Sequence, residues 1–369
     1  MRFRLELRDR NFVVRDILDD EALNLSWSYS RVGGCGDISF TLPRRRFEER
    51  ALSGEFNLRL YYKNASGTFD LWYQGLVEIK SPNVRGKTED IEVSGHGYQS
   101  QLSRIYLNNI TFTSTEASAI VAAIIGTYVS PYTNITAGVI GTTDFTPSSI
   151  TFNETALSAL EKVADIVGSR EWGVDASRQF FFKARSSEIG FRFLKGNNIT
   201  NFQDNQDFTQ IINQIYVQGA QVGGTYFTFG PYNDLDSQAK YNLRTEFLQN
   251  SSVTTSDVAL QLATARLEEK KEVSRRANCE LVNYVAQMEA TTPIPLFAEI
   301  SKKVKYGQKK YGTFLYSGIV GRVINRINYM LTNNNSLKIS VELGQLRPNI
   351  AEQISQLEYN LDQQRSASL

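Results

Sequence analysis

One histidine and two cysteines in 369 residues remove most metal and nucleophile chemistry before any motif is sought. Cys35 and Cys279 stand about 240 residues apart, each inside a predicted β-region, so the sequence offers neither a disulfide framework nor a zinc ligand set. Both read as small core residues. His96 lies in Gly95-His96-Gly97 at the end of a strand pattern, with no nucleophile or ligand spaced to it, and reads as structural. Gly-x-Ser-x-Gly, a P-loop, His-Glu-x-x-His and an Asp-rich calcium loop are all missing. The glycines from Gly219 to Gly224 lie between strands rather than before a helix, which makes a β-turn of them and not a phosphate cradle. The 39 acidic residues leave room for a glycosidase-type pair, yet no pair stands out. No catalytic residue, metal or cofactor is expected.

Neither sign of charge dominates: 40 basic residues against 39 acidic give +1, which argues against a dedicated nucleic-acid or anionic-membrane binder. Short basic groups at Arg44-Arg45-Arg46, Lys270-Lys271, Lys302-Lys303 and Lys309-Lys310 alternate with acidic stretches and read as solvated loops. No run approaches the ~18 apolar residues of a membrane span, so no stable membrane insertion is expected. Met1-Arg2-Phe3-Arg4-Leu5-Glu6-Leu7-Arg8 alternates like a strand and lacks the apolar core of a signal peptide. The expectation is a soluble chain made in a cytoplasm, long enough for two or three domains.

What the sequence does hold is a repeated unit of strand, turn and strand. The first copy runs Leu71-Trp72-Tyr73-Gln74-Gly75-Leu76-Val77-Glu78-Ile79, then through Pro82 and Gly86 into Ile91-Glu92-Val93-Ser94-Gly95. The second runs Phe314-Leu315-Tyr316-Ser317-Gly318-Ile319-Val320-Gly321-Arg322-Val323, then through Asn333-Asn334-Asn335 into Leu337-Lys338-Ile339-Ser340-Val341-Glu342-Leu343. In each copy an aromatic stands two residues before a glycine, two aliphatics follow it, and a polar turn leads into a strand of period two. Gly75 and Gly318 are therefore expected at equivalent places in two related barrels. The alternative is that hairpins resemble one another without being copies.

Taken in order, residues 1–105 read as a first antiparallel barrel. Phe3, Leu5 and Leu7 alternate with charges, Leu23 to Tyr29 keeps period two, Gly33, Gly34 and Gly36 license a reversal, and Pro43 ends a strand. Residues 106–205 change to a period of 3.6. Thr113 and Glu116 suggest a capping box before a broadly apolar helix through Tyr128. A second helix starts near Asn153 and stops at Gly168, and strands follow at Trp172–Val174 and Phe180–Phe182. Residues 206–346 read as a second barrel with an inserted helix over 255–272, followed by a strand at 277–282. In 347–369, Ile350, Ile354, Leu357 and Leu361 are spaced as a heptad seam. Isoleucine at both seam positions favours three or more strands; a terminal helix packed on its own domain is the equal alternative. The fold class is thus mixed β and α/β: two related antiparallel β-barrels, a small α+β insert and a C-terminal helix.

A barrel ending a strand with Phe40-Thr41-Leu42-Pro43, an insert carrying Thr155-Ala156-Leu157-Ser158-Ala159-Leu160 and Trp172, a helix then a strand over 255–282, and a second barrel form a recognisable order. This order resembles the tail hub proteins of tailed bacteriophages, a family that includes the baseplate hub of contractile phages, the N-terminal part of tail-associated lysins and the spike base of type VI secretion systems. The resemblance covers about residues 1–350. It implies a structural virion protein at the distal end of the tail. Two barrels per chain in a homotrimer would make a ring adapting a sixfold tail tube to a threefold tip. The implied partners are tail tube or distal tail protein, tape measure protein, a tail fibre or spike, and DNA in transit. Members often carry a lytic or fibre module at the C-terminal end; this sequence stops at Leu369, so no lytic activity is expected. Two rivals remain: a tail-associated peptidoglycan hydrolase with an acid pair within 106–205, and a monomeric glycan-binding β-protein using its tyrosines and tryptophans.

Overall fold

Period-two alternation becomes strand almost wherever it occurs, because each such segment has one face to bury and one to hydrate. The structure, a computed structural model, describes residues 3–18, 21–43, 56–63, 67–85, 88–168, 170–184, 192–194, 199–222, 225–281, 303–305, 319–320, 324–331 and 337–344. The N-terminal part supplies β1 (Phe3–Arg8), β2 (Val14–Ile17), β3 (Leu23–Ser30), β4 (Val32–Pro43), β5 (Phe56–Lys63), β6 (Phe69–Arg85) and β7 (Thr88–Gly97). The central part supplies β8 (Tyr106–Thr113), β9 (Thr136–Ile140), β10 (Ser149–Thr155), β11 (Arg170–Val174) and β12 (Gln179–Ala184). After these come β13 (Arg192–Leu194), β14 (Ile199–Asp207), β15 (Gln214–Val222), β16 (Thr225–Asn233), β17 (Thr245–Gln249) and β18 (Ser274–Leu281). The last are β19 (Lys303–Lys305), β20 (Ile319–Val320), β21 (Ile324–Leu331) and β22 (Leu337–Gly344). Among the described residues four α-helices interrupt the strands: α1 (Ala117–Ala123), which continues as a π-helix to Val129, α2 (Ala156–Val167), α3 (Leu235–Tyr241) and α4 (Ser256–Lys270).

The chain is thus mostly antiparallel β with few helices, as the alternation predicts. One fourteen-stranded sheet dominates, with the path β14-β18-β22-β21-β3-β4-β7-β6-β5-β1-β2 and β11, β12 and β9 branching from β4. Strands from the first hundred residues and strands from beyond residue 270 therefore share one sheet, joined where β3 meets β21. The first hairpin copy forms as β6 paired with β7. The second forms differently from its sequence reading. The strand paired with β22 is β21, whose Ile327, Tyr329 and Leu331 are buried while Met330 is exposed. Ile319 and Val320 pair instead with β19. The strand beside β22 is instead the stretch whose alternation is cleanest, Ile327, Tyr329 and Leu331. Gly318 and the expected C-terminal helix with Ile350, Ile354, Leu357 and Leu361 lie outside the described residues.

Two cores lie against this sheet. The first gathers inward residues of both ends of the chain, among them Trp27, Phe40, Leu60, Trp72, Tyr329 and Val341. Cys35 and Cys279 are free thiols buried within it. The second is built on α1, α2, α4 and β15, with Leu160, Val163, Trp172, Val217 and Val258. The helix expected over 255–272 forms as α4 and packs in this core beside α2, so the core runs across residue 205 rather than stopping there.

Local signals fix the helix ends. Thr155 caps α2, its hydroxyl accepting from the Ser158 amide at 3.2 Å, and Gly168 stops it at φ 66°. Glu116 itself, rather than Thr113, caps α1: its carboxylate accepts from the Ala119 amide at 3.2 Å. Where the two cores meet, β4 runs parallel to β11 through Val32–Gly34 and Trp172–Val174. A Cβ on Gly34, at φ +78°, would stand 2.2 Å from the Val174 carbonyl oxygen, so only glycine permits that approach.

Candidate interaction surface at the sheet seam

The seam follows from alternation in two strands far apart in sequence. In β3, Leu25, Trp27 and Tyr29 point into the core while Ser26, Ser28 and Ser30 stand on the other face. In β21, Ile327 and Tyr329 point inward, and Arg326, Asn328 and Met330 stand opposite. Antiparallel pairing sets Tyr329 beside Trp27, Asn328 beside Ser28 and Arg326 beside Ser30. Two different surfaces result.

The inner surface is aromatic. Trp27 and Tyr329 stack at 5.1 Å between centroids and 7° between planes. Trp72 lies 5.7 Å from Tyr329 and 4.6 Å from Tyr62, and Phe3 packs edge-on to both tryptophans. Burial pushes the Tyr329 and Tyr29 hydroxyls above the usual tyrosine range. It also pushes the Cys35 thiol up to about 12, so this cysteine stays a protonated packing group and not a nucleophile.

The outer surface is concave, with a groove of about 530 Å3 in which Ser26, Ser39, Asn328, Lys338 and Ser340 stand among apolar residues such as Met330, Leu281 and Ile339, so that its exposed lining is more apolar than polar. Register carries rows of side chains straight across it. One row runs Ser28, Asn328, Ser340, Glu280, Asn201 from β3 through β21, β22 and β18 to β14; the next runs Ser30, Arg326, Glu342, Asn278, Gln203. The Ser26 and Ser39 hydroxyls are 2.8 Å apart, and Arg326 Nε donates to Ser30 Oγ at 3.1 Å. Arg326 and Lys338 mix with Asp37, Glu280 and Glu342, so neither sign prevails. Such a face hydrogen-bonds readily but offers a polyanion no cationic track.

Gly75 sits in β6 between Leu58 of β5 and Gly97 of β7. A Cβ there would meet the His96 carbonyl oxygen at 2.5 Å and the Tyr73 hydroxyl at 2.7 Å. Its role is close approach between strands. His96 is partly exposed, its Nδ1 2.8 Å from Asp37 Oδ1 and its Nε2 3.8 Å from Glu78 Oε2, and Glu78 also pairs with Arg104. That cluster is a surface ion network. Among the described residues no group of three or more His, Cys, Asp or Glu is placed to hold a metal. Sequence reasoning missed the polar rows: alternation in 23–29 was visible, but nothing in it names a partner strand 296 residues away.

No family model matches this sequence, and no curated protein matches it. Solved structures do. The 43 kDa tail protein of prophage MuSo2 from Shewanella oneidensis aligns at TM-score 0.61 and 14% identity, over 93% of this chain and 97% of that one. The tail protein from Neisseria meningitidis MC58 aligns at 0.61 and 11%, over 94% and 97%. The chain has a phage tail-protein fold. Prophage tail protein gp18 from Listeria monocytogenes EGD-e adds a match at 0.56 and 11%, over 98% and 100%. At such identities the tail-protein fold is held by patterns of burial rather than by shared residues. Each match spans nearly the whole of both chains.

Proposed function

We propose that this protein is a structural component of a phage tail: a homotrimeric hub at the distal tip, adapting a sixfold tube to a threefold end. The tail-protein fold over 93–98% of the chain is the observation that carries this reading. In it, two β-regions of one chain occupy equivalent positions in a ring, and three chains give six such positions. Ile350, Ile354, Leu357 and Leu361 meet about the threefold axis. Tail tube or distal tail protein and the tape measure protein lie above, a fibre or spike below. The outer face of the seam lines the channel, where hydroxyls, amides and mixed charge let DNA pass without gripping it.

Light scattering after size exclusion tests the assembly directly. The expected mass is about three times the 41.7 kDa chain, and Ile354→Asp is expected to lower it to a single chain. A wild-type chain that stays monomeric both alone and when mixed with its tail tube protein would overturn the hub.

A further inference from the structure

The three-stranded sheet β16-β15-β17 presents a second face to solvent, away from the seam, and its chemistry is unlike that of the rest of the surface. Its inward residues, Ile215 and Val217, enter the helix-bearing core. Its outward residues on β15 and β17 pair in register: Gln214 beside Thr245, Tyr216 beside Phe247, Gln218 beside Gln249. None is charged, in a chain where 21% of residues are. Phe247 is 49% exposed on the edge strand, with one ring face stacked on Tyr216 at 4.9 Å and 11°. Thr245 donates to Gln214 at 2.9 Å, and Gln249 Nε2 donates to Gln218 Oε1 at 2.7 Å. That last bond uses one donor and one acceptor of the pair. Gln218 Nε2 and Gln249 Oε1 make no hydrogen bond to another described residue.

We infer that this face binds a neutral pyranose oligosaccharide. A sugar ring is itself two-sided: its axial C–H groups stack on an aromatic face, and its vicinal hydroxyls want one donor and one acceptor at neighbouring positions. Phe247 supplies the first requirement, and the free amide ends of Gln218 and Gln249 supply the second. The match in charge decides between partners. Nucleic acid and anionic lipid require cations that Gln214, Tyr216, Gln218, Thr245, Phe247 and Gln249 do not provide. This inference does not rest on the hub: a trimer that binds no sugar would remove only this site, and a monomer that binds sugar would remove only the hub.

The test is titration of the full chain, followed by saturation-transfer NMR, with neutral hexasaccharides of glucose, of mannose and of N-acetylglucosamine. At least one is expected to bind with a Kd on the order of 1 mM or tighter. Phe247→Ala should weaken it about tenfold, Phe247→Tyr should retain it, and Gln249→Ala should weaken it about threefold. Phe247 lies on an edge and outside the core, and Gln218→Glu, which removes no apolar contact, guards against a folding defect by also abolishing binding. The inference is overturned if none of the three sugars binds at millimolar concentration, or if Phe247→Ala leaves affinity unchanged. It is equally overturned if Phe247→Ala lowers the mass of the assembly, which would make this face a contact between copies.

Discussion

The seam and the helix layer both tie together distant parts of the chain, and they do it by different physics. At the seam, β3 and β21 are bound by a backbone ladder with an aromatic stack beneath it. In the helix layer, α4 reaches β17 through side chains alone: Arg266 donates to both carboxylate oxygens of Glu246 at 3.1 Å, and Lys270 stands 3.5 Å from the same group. A ladder fixes register absolutely, since a slip of one residue would turn Trp27 and Tyr329 to solvent and the serines to the core. A helix on a sheet can shift slightly and keep its apolar contacts, so its position is pinned by directed bonds: this ion pair, the Ile212 amide donating to the Lys270 carbonyl at 3.0 Å, and the Ser148 amide donating to Asp257 at 3.1 Å. The lesson is that the same long-range closure is specified by alternation in one region and by directed bonds in the other.

Mutation can break each arm of that comparison. Tyr329→Ala removes the stack on Trp27 and opens a cavity beside Trp72. It is expected to cost about 3–5 kcal/mol, read as a fall in the urea midpoint, whereas Tyr329→Phe should cost less than about 1 kcal/mol. If Tyr329→Ala costs no more than a surface change, the seam is not held by its aromatic face. Arg266→Ala leaves Glu246 largely buried with Lys270 as its nearest cation, and should cost about 3 kcal/mol. Replacing both partners, Arg266→Met with Glu246→Leu, should recover most of that loss in the same denaturation experiment. A double variant as unstable as the single one would mean that packing, and not the stranded charge, sets the cost.

The smallest effect sharpens the comparison within the helix layer. Burial opposes ionisation of Glu116, but hydrogen bonds from Ser118 and Thr143 outweigh it and hold the carboxyl at about 2, below the ordinary value of 4.5. A depressed carboxylate stabilises the fold fully above about pH 4.5, and the contribution fades as pH falls towards 2. Glu116→Ala should therefore cost about 1 kcal/mol at neutral pH and almost nothing near pH 2. Thermal melts of both proteins across that range check the sign: a gap that widens on acidification would contradict it.

How much of this was legible in the sequence depends on the range of the signal. Helix ends were legible because capping is local: Thr155 and Gly168 act on neighbours within four residues. The strands read over 3–8, 23–29 and 277–281 were legible because alternation carries its own period. Ile319 and Val320 misled in their partner: they form a strand as read but pair with β19, while the cleaner alternation of Ile327, Tyr329 and Leu331 just beyond supplies the strand beside β22. The seam was not legible, since Ser30 and Arg326 carry no mark of one another. The exposed ladder of β15 and β17 was hidden for a similar reason: Gln214, Tyr216 and Gln218 alternate as any strand does, and only the parallel register makes them a surface with Thr245, Phe247 and Gln249.

The central place of β21 beside β3 also sets a timetable. Ser30 leaves the ribosome 296 residues ahead of the Arg326 it will bind. At translation speeds of about 5–20 residues per second, β3 waits roughly 15–60 s for its neighbour. Throughout that interval the nascent sheet carries a free edge at the strand that bears Trp27, the kind of edge that captures other chains. The cell must shelter that strand for most of the time the protein takes to be made.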